Sequence, residues 1–113
     1  AEIAKAVPKL KRLWLFRSAV TDAAFAHVAT LAELEGLHLA GTRISDAALV
    51  HVAKNRKLRV LDLDDTAVGD AGLVALKPLG SLRELSFQRM TGIGPAGLGA
   101  LAALRRLDTL NAN

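Results

Sequence analysis

Leucine recurs along this chain at a fixed internal spacing. The pattern L-x-x-L-x-L falls at Leu10, Leu13, Leu15, at Leu34, Leu37, Leu39, at Leu58, Leu61, Leu63 and, with an aromatic in last place, at Leu82, Leu85, Phe87; it restarts at Leu107 and Leu110. The first three intervals are 24 residues and the fourth is 25, which places a one-residue insertion between Phe87 and Leu98. Inside each period the apolar spacing changes from alternate residues to every third, as at Leu49, Val52 and Leu73, Leu76, Leu79. Alternation predicts a strand and a spacing of three predicts a helix, so each unit reads as strand, loop, helix. A period of this length marks a stacked repeat, or solenoid, in which each unit buries its apolar face only against its neighbours.

Helix starts are signalled at Thr21-Asp22, Ser45-Asp46, Gly69-Asp70 and Gly94-Pro95. Proline is favoured at the first helical position, so aligning Pro95 with the aspartates makes Thr21, Ser45, Gly69 and Gly94 the predicted N-caps. The aspartates then fall in the first turn, where the helix dipole favours negative charge.

The segments Thr42-Arg43-Ile44-Ser45-Asp46-Ala47-Ala48-Leu49 and Thr66-Ala67-Val68-Gly69-Asp70-Ala71-Gly72-Leu73 resemble leucine-rich repeats, in particular bacterial repeats related to the cysteine-containing subclass. The family places Asn or Cys after the strand; this chain has Ser18, Thr42, Thr66 and Met90 there. Hydroxyls still bond loop backbone, whereas a thioether does so poorly, so the fourth loop is expected to be irregular. The resemblance covers nearly the whole chain. It implies an α/β solenoid with a curved parallel sheet on the concave side and helices on the convex side. The expected organisation is a single segment: a partial repeat at 1–9, repeats at 10–33, 34–57, 58–81 and 82–106, and a partial repeat at 107–113. Ala1 to Val7 read as the remains of an earlier helix and Asn113 falls inside a fifth strand; neither end offers a polar capping unit, so a fragment of a longer chain is expected.

Composition fits that picture. At 113 residues and 51% hydrophobic content the chain supports one core, and an aromatic content of 4% means that the core is built from many aliphatic side chains. Charge interrupts the apolar runs and the N-terminus lacks a signal-peptide order, so a soluble chain is expected; with no cysteine there is no disulfide framework, which favours the cytoplasm.

With the register fixed, the residues between the core leucines must face the concave side. Three columns result: Arg12, Gly36, Val60, Glu84, Thr109; Trp14, His38, Asp62, Ser86, Asn111; and Phe16, Ala40, Asp64, Gln88, Asn113. Trp14 and Phe16 are thereby placed on a solvated face, while Phe25 and Phe87 occupy core positions. An exposed aromatic pair flanked by Arg12 and Arg17 has the composition of a binding hot spot; the competing reading is local packing under an additional N-terminal repeat. Farther along, Asp62, Asp64 and Asp65 form an acidic patch beside Gln88 and Arg89, suited either to a basic ligand residue or to plain solvation. With His38, these are the candidate partner-binding residues.

Fifteen basic residues stand against 11 acidic ones. Lys9, Lys11, Arg12, Lys54, Arg56, Lys57, Arg59, Lys77, Arg83, Arg105 and Arg106 lie near strand starts, on one edge, and the aspartates gather toward the other. Helix dipoles account for most of this separation, and the basic ridge lacks interleaved aromatics for base stacking, which disfavours nucleic acid as a partner. Catalytic, metal and cofactor readings are weaker still. His38, Asp62 and Ser86 share a column, but strands about 4.8 Å apart put His38 and Ser86 about 10 Å apart with the acid between them, the wrong order for a triad. His27 and His51 occupy equivalent outward helix positions with no third ligand. The glycines of Gly92 to Gly97 are followed by no Lys-Ser or Lys-Thr of a phosphate loop. No catalytic residue, metal or cofactor is expected. The leading expectation is a non-catalytic module that binds a protein on its concave sheet; the alternatives are a structural spacer within a larger protein and nucleic-acid binding along the basic edge.

Overall fold

A computed structural model describes residues 9–90 and 92–111. The expectations for Ala1 to Val7 and for Asn113 fall outside those residues. Five short strands, β1 (Arg12–Trp14), β2 (Gly36–His38), β3 (Val60–Asp62), β4 (Glu84–Ser86) and β5 (Thr109–Asn111), form one parallel sheet in chain order. Helices α1 (Phe25–Val28), α2 (Asp46–Val52), α3 (Asp70–Ala75) and α4 (Pro95–Ala100) connect them. A 3-10 turn, Asp22–Ala24, leads into α1, and another, Leu101–Ala103, follows α4.

The pairing register matches the leucine spacing. Leu13, Leu37, Leu61, Leu85 and Leu110 are partners across successive strands. A parallel ladder needs each backbone group to find its mate one strand away, and the bonds continue past the strand ends, from Leu39 N–H to the Asp62 carbonyl at 2.9 Å and from Gly41 N–H to Asp64 at 3.0 Å. Burial follows the number of neighbours. Leu37, Leu39, Leu49 and Leu63 are fully buried, each side chain worth about 1.5–3 kcal/mol of transfer free energy. Leu10, Leu13 and Leu15 are only partly covered, and Leu98 and Leu110, on the last two described repeats, are 50% and 46% exposed. Phe25 and Phe87 lie in the core as expected.

Thr21, Ser45, Gly69 and Gly94 are the N-caps, all in extended backbone conformation, but none caps its helix with its own side chain. The first-turn aspartates instead reach forward to the next repeat. Asp22 accepts from Ser45 N–H at 2.8 Å and Ser45 Oγ–H at 2.6 Å; Asp46 accepts from Gly69 N–H at 2.6 Å and Gly72 N–H at 3.0 Å; Asp70 accepts from Gly94 N–H at 2.6 Å. Gly72 makes room for this contact, since a Cβ there would lie 2.7 Å from the Asp46 carboxylate. A second inter-repeat tie is Asn55. Its buried amide donates to the carbonyls of Val28 at 3.2 Å and Leu31 at 3.0 Å, satisfying groups at the end of the preceding helical segment.

The strand-to-loop turn also repeats. Arg17, Gly41, Asp65 and Arg89 all have positive φ, between 51° and 72°. Only glycine adopts this region without a steric penalty; for the others it costs about 1–2 kcal/mol. The next residue closes the turn. Ser18, Thr42 and Thr66 donate their hydroxyls to the carbonyls of Leu15, Leu39 and Leu63 at 2.7–3.0 Å. Met90 takes the same place in the fourth repeat with its side chain buried, its sulfur 3.6 Å from Thr66 Oγ1.

Removing one tie should loosen the stack. Asp46→Ala is expected to lower the unfolding free energy by about 2–4 kcal/mol: two hydrogen bonds to a charged group, at about 1.5–3 kcal/mol each, are lost, less than additively because the carboxylate is only part buried. Arg43→Ala, at an exposed site, should stay within about 0.5 kcal/mol of the parent. Urea unfolding followed by circular dichroism measures both.

Candidate binding face

The outward side chains of the strands form the candidate surface. Trp14, His38, Asp62, Ser86 and Asn111 are register partners across the five strands, so they make one row of side chains separated by single strand spacings. Trp14 and Phe16 are 52% and 50% exposed. Both lean on His38. The indole and imidazole planes are parallel to within 3° with centroids 5.0 Å apart, and Phe16 meets the imidazole edge-on at 5.8 Å and 60°. Such contacts contribute about 0.5–1.5 kcal/mol beyond area burial and hold the rings in place.

Two hollows flank this stack. One, of about 500 Å³, is lined by Arg12, Trp14, Glu35, Gly36, His38, Arg59, Val60, Arg83, Glu84 and Asp108. Gly36 shapes it, being the one position in its column of described residues without a side chain. The second, of about 380 Å³, lies toward the strand C-termini between His38, Val60, Asp62, Asp64, Glu84, Ser86, Gln88 and Asn111.

In the second hollow the carboxylates are fixed by backbone and hydroxyl groups. Asp62 Oδ1 accepts from Asp64 N–H at 3.0 Å, and Asp64 Oδ1 accepts from Ser86 Oγ–H at 2.6 Å and Gln88 N–H at 2.7 Å. Burial pushes the Asp62 carboxyl above the ordinary carboxylate range. The Asp64 N–H opposes that shift, the Asp64 charge adds to it, and His38 pulls it back down.

The hollows therefore bring together six of the expected residues: Arg12, Trp14 and His38 in the first, and His38, Asp62, Asp64 and Gln88 in the second. Phe16 joins through its contact with His38. Arg17, Asp65 and Arg89 line neither; they occupy the left-handed turn at the rim, where the Arg17 side chain lies over Gly41. Glu35, Gly36, Arg59, Val60, Arg83, Glu84, Asp108, Ser86 and Asn111 were not among the expected site residues. Gly36, Val60, Glu84, Ser86 and Asn111 stand in the first two columns, which was the available signal. The edge of basic residues is less pure than expected, because Glu35, Glu84 and Asp108 stand among Arg12, Arg59 and Arg83, and Lys57 is paired with Glu33 at 3.0 Å.

Ser86 donates its hydroxyl to Asp64, and the register places Asp62 between Ser86 and His38. His27 is exposed and His51 partly covered on α1 and α2. Among the described residues no three His, Cys, Asp or Glu converge as a metal site, and no helix is long and apolar enough to cross a membrane.

The leucine-rich repeat family pattern matches residues 54–77, one complete period. No curated protein matches the sequence. Among solved structures, an internalin from Listeria monocytogenes superposes with a TM-score of 0.80 at 22% identity, over 95% of this chain and 31% of the internalin chain. Actin-binding site 2 of leiomodin-1 superposes with a TM-score of 0.73 at 21% identity, over 99% of this chain and 76% of that one. The present chain thus spans less than a third of the internalin's length. Repeat spacing, strand register, one matched period and these shared folds give the chain a leucine-rich repeat fold, an α/β solenoid with a parallel sheet.

Proposed function

We propose that this chain is a non-catalytic recognition module that binds a partner protein across the outer face of its sheet. The observation that carries this reading is the half-exposed pair Trp14 and Phe16, held by His38 on a face where neither ring is needed for the core. Tryptophan is the residue type most enriched at binding hot spots, and burying a held ring against a partner gains apolar contact at little entropic cost. Asp62 and Asp64 set orientation through charge, with Arg12, Gln88 and the rim residues Arg17, Asp65 and Arg89 around them. Leiomodin-1 supports the reading by analogy, since a stretch of the same fold and similar length is there an actin-binding site.

The ionisation of Asp62 supports it as well. A carboxylate held partly buried beside a second carboxylate lowers the stability of the fold, a pattern expected where charge serves binding rather than folding.

Two measurements test this. Peptides selected from a displayed library against the parent chain should bind Trp14→Ala/Phe16→Ala at least tenfold more weakly, with an unchanged circular dichroism spectrum; undiminished binding rejects the anchor. Asp62→Asn keeps an acceptor for Asp64 N–H and should raise the thermal midpoint at neutral pH. Because the folded-state pKa is raised, the penalty from ionised Asp62 is full above that value and vanishes as pH falls below the ordinary carboxylate range. The advantage of the variant should therefore disappear in acid; one that persists unchanged there assigns it to another cause.

A further inference from the structure

The outer face is chemically uneven. Its first-strand end is aromatic, with Trp14 stacked on one side of His38. Register places Asp62 one strand beyond His38, on the side away from Trp14. Beyond the stack, the hollow toward the strand C-termini is lined by Asp62, Asp64 and Glu84 and by no lysine or arginine. Among the described residues, the ion pair within 4.0 Å is Lys57–Glu33, so no described lysine or arginine is paired with any of these three carboxylates, and His38 is the cationic group beside Asp62. On both Asp62 and Asp64 the hydrogen bonds from neighbouring groups fall on Oδ1, at 2.6–3.0 Å, which fixes how each carboxylate is turned.

Building on the reading of this face as a binding surface, we propose that its occupant is a protein segment that sets an arginine guanidinium into this hollow, beside an apolar side chain on Trp14 and Phe16. The geometry favours a guanidinium over an ammonium. Its planar face suits the imidazole–indole stack, while its forked N–H edge suits two carboxylates whose orientation is already fixed; an ammonium has neither a flat face nor a fork. The Asp62 and Asp64 charges, unfavourable to each other in the free protein, become favourable once a cation lies between them. The other hollow is the less selective place for a charge, because both signs line it, Arg12, Arg59 and Arg83 beside Glu35 and Asp108.

The test uses acetylated, amidated Gly-Phe-Gly-Arg-Gly and versions in which the arginine is replaced by lysine, citrulline or glutamate, titrated into the 15N-labelled chain and followed by NMR. The arginine peptide should shift the amides of His38, Asp62, Asp64 and Gln88 and the Trp14 indole, and bind at least tenfold more tightly than the isosteric but neutral citrulline peptide. Asp62→Asn should reduce the arginine peptide to the citrulline level. Equal binding of arginine and citrulline, equal binding of lysine, tighter binding of glutamate, or no binding of the arginine peptide at millimolar concentration overturns the proposal. These outcomes separate the two readings: library-selected peptides that depend on Trp14 and Phe16 but show no preference for arginine leave the binding face standing and remove only its arginine site.

Discussion

Stacking sets each strand residue of this fold one strand spacing from the residue one period along the chain, and that constraint governs the rest of the structure. Leu13, Leu37, Leu61, Leu85 and Leu110 are neighbours for this reason and no other. No single repeat is large enough to bury its own leucines, so stability resides in the interfaces between repeats. The polar ties act at the same interfaces. The carboxylates of Asp22, Asp46 and Asp70 and the amide of Asn55 all bond groups 23 to 27 residues away, one repeat distant. They satisfy helix-start N–H groups and helix-end carbonyls that a four- to seven-residue helix leaves open. Asp46 and Asn55 thus tie α2 to its two neighbours from opposite ends of the helix.

The same constraint separates the chain into positions that must be apolar and positions free to vary. Arg12, Trp14 and Phe16 and their equivalents one period on carry no packing duty, so the columns there run through aromatic, glycine, acid, hydroxyl and amide. Uniformity in the core and diversity on the face are two results of one geometry. Chemistry is concentrated where stability does not depend on residue identity, the general basis on which a repeat scaffold supports binding.

Periodic features were legible in the sequence. The leucine columns, the four N-cap positions and the exposure of Trp14 and Phe16 all follow from counting, since a residue's place in the period fixes its direction. Less was legible where a side chain reaches out of its own repeat or the backbone turns unusually. The aspartates read as partners of their own helix dipole, and nothing in the pattern shows that they bond the following repeat. Asn55 occupies the place held by Leu31 and Leu79 and gave no sign of donating to two buried carbonyls. The left-handed turn holds Arg17, Gly41, Asp65 and Arg89, and only a glycine is a strong signal for such a conformation. That turn is also why the expected site divided. Asp64 faces the hollow while its neighbour Asp65 stands on the rim, a difference that adjacency in sequence conceals.

In the proposed binding role, rigid placement is what gives the face a capacity to discriminate. A flexible surface loses rotamer entropy on binding, about 0.5–1.5 kcal/mol for each immobilised side chain. Here Trp14 is already stacked on His38, and Asp64 is already turned by Ser86 and Gln88 of the next repeat. The groups that orient these side chains come from neighbouring repeats, so the stacking that stabilises the fold also prepares the surface. Loosening the stack at Asp46 would be felt at the face even though Asp46 lies at a helix start, because register, and with it the spacing of Trp14, His38 and Asp62, is shared along the whole sheet.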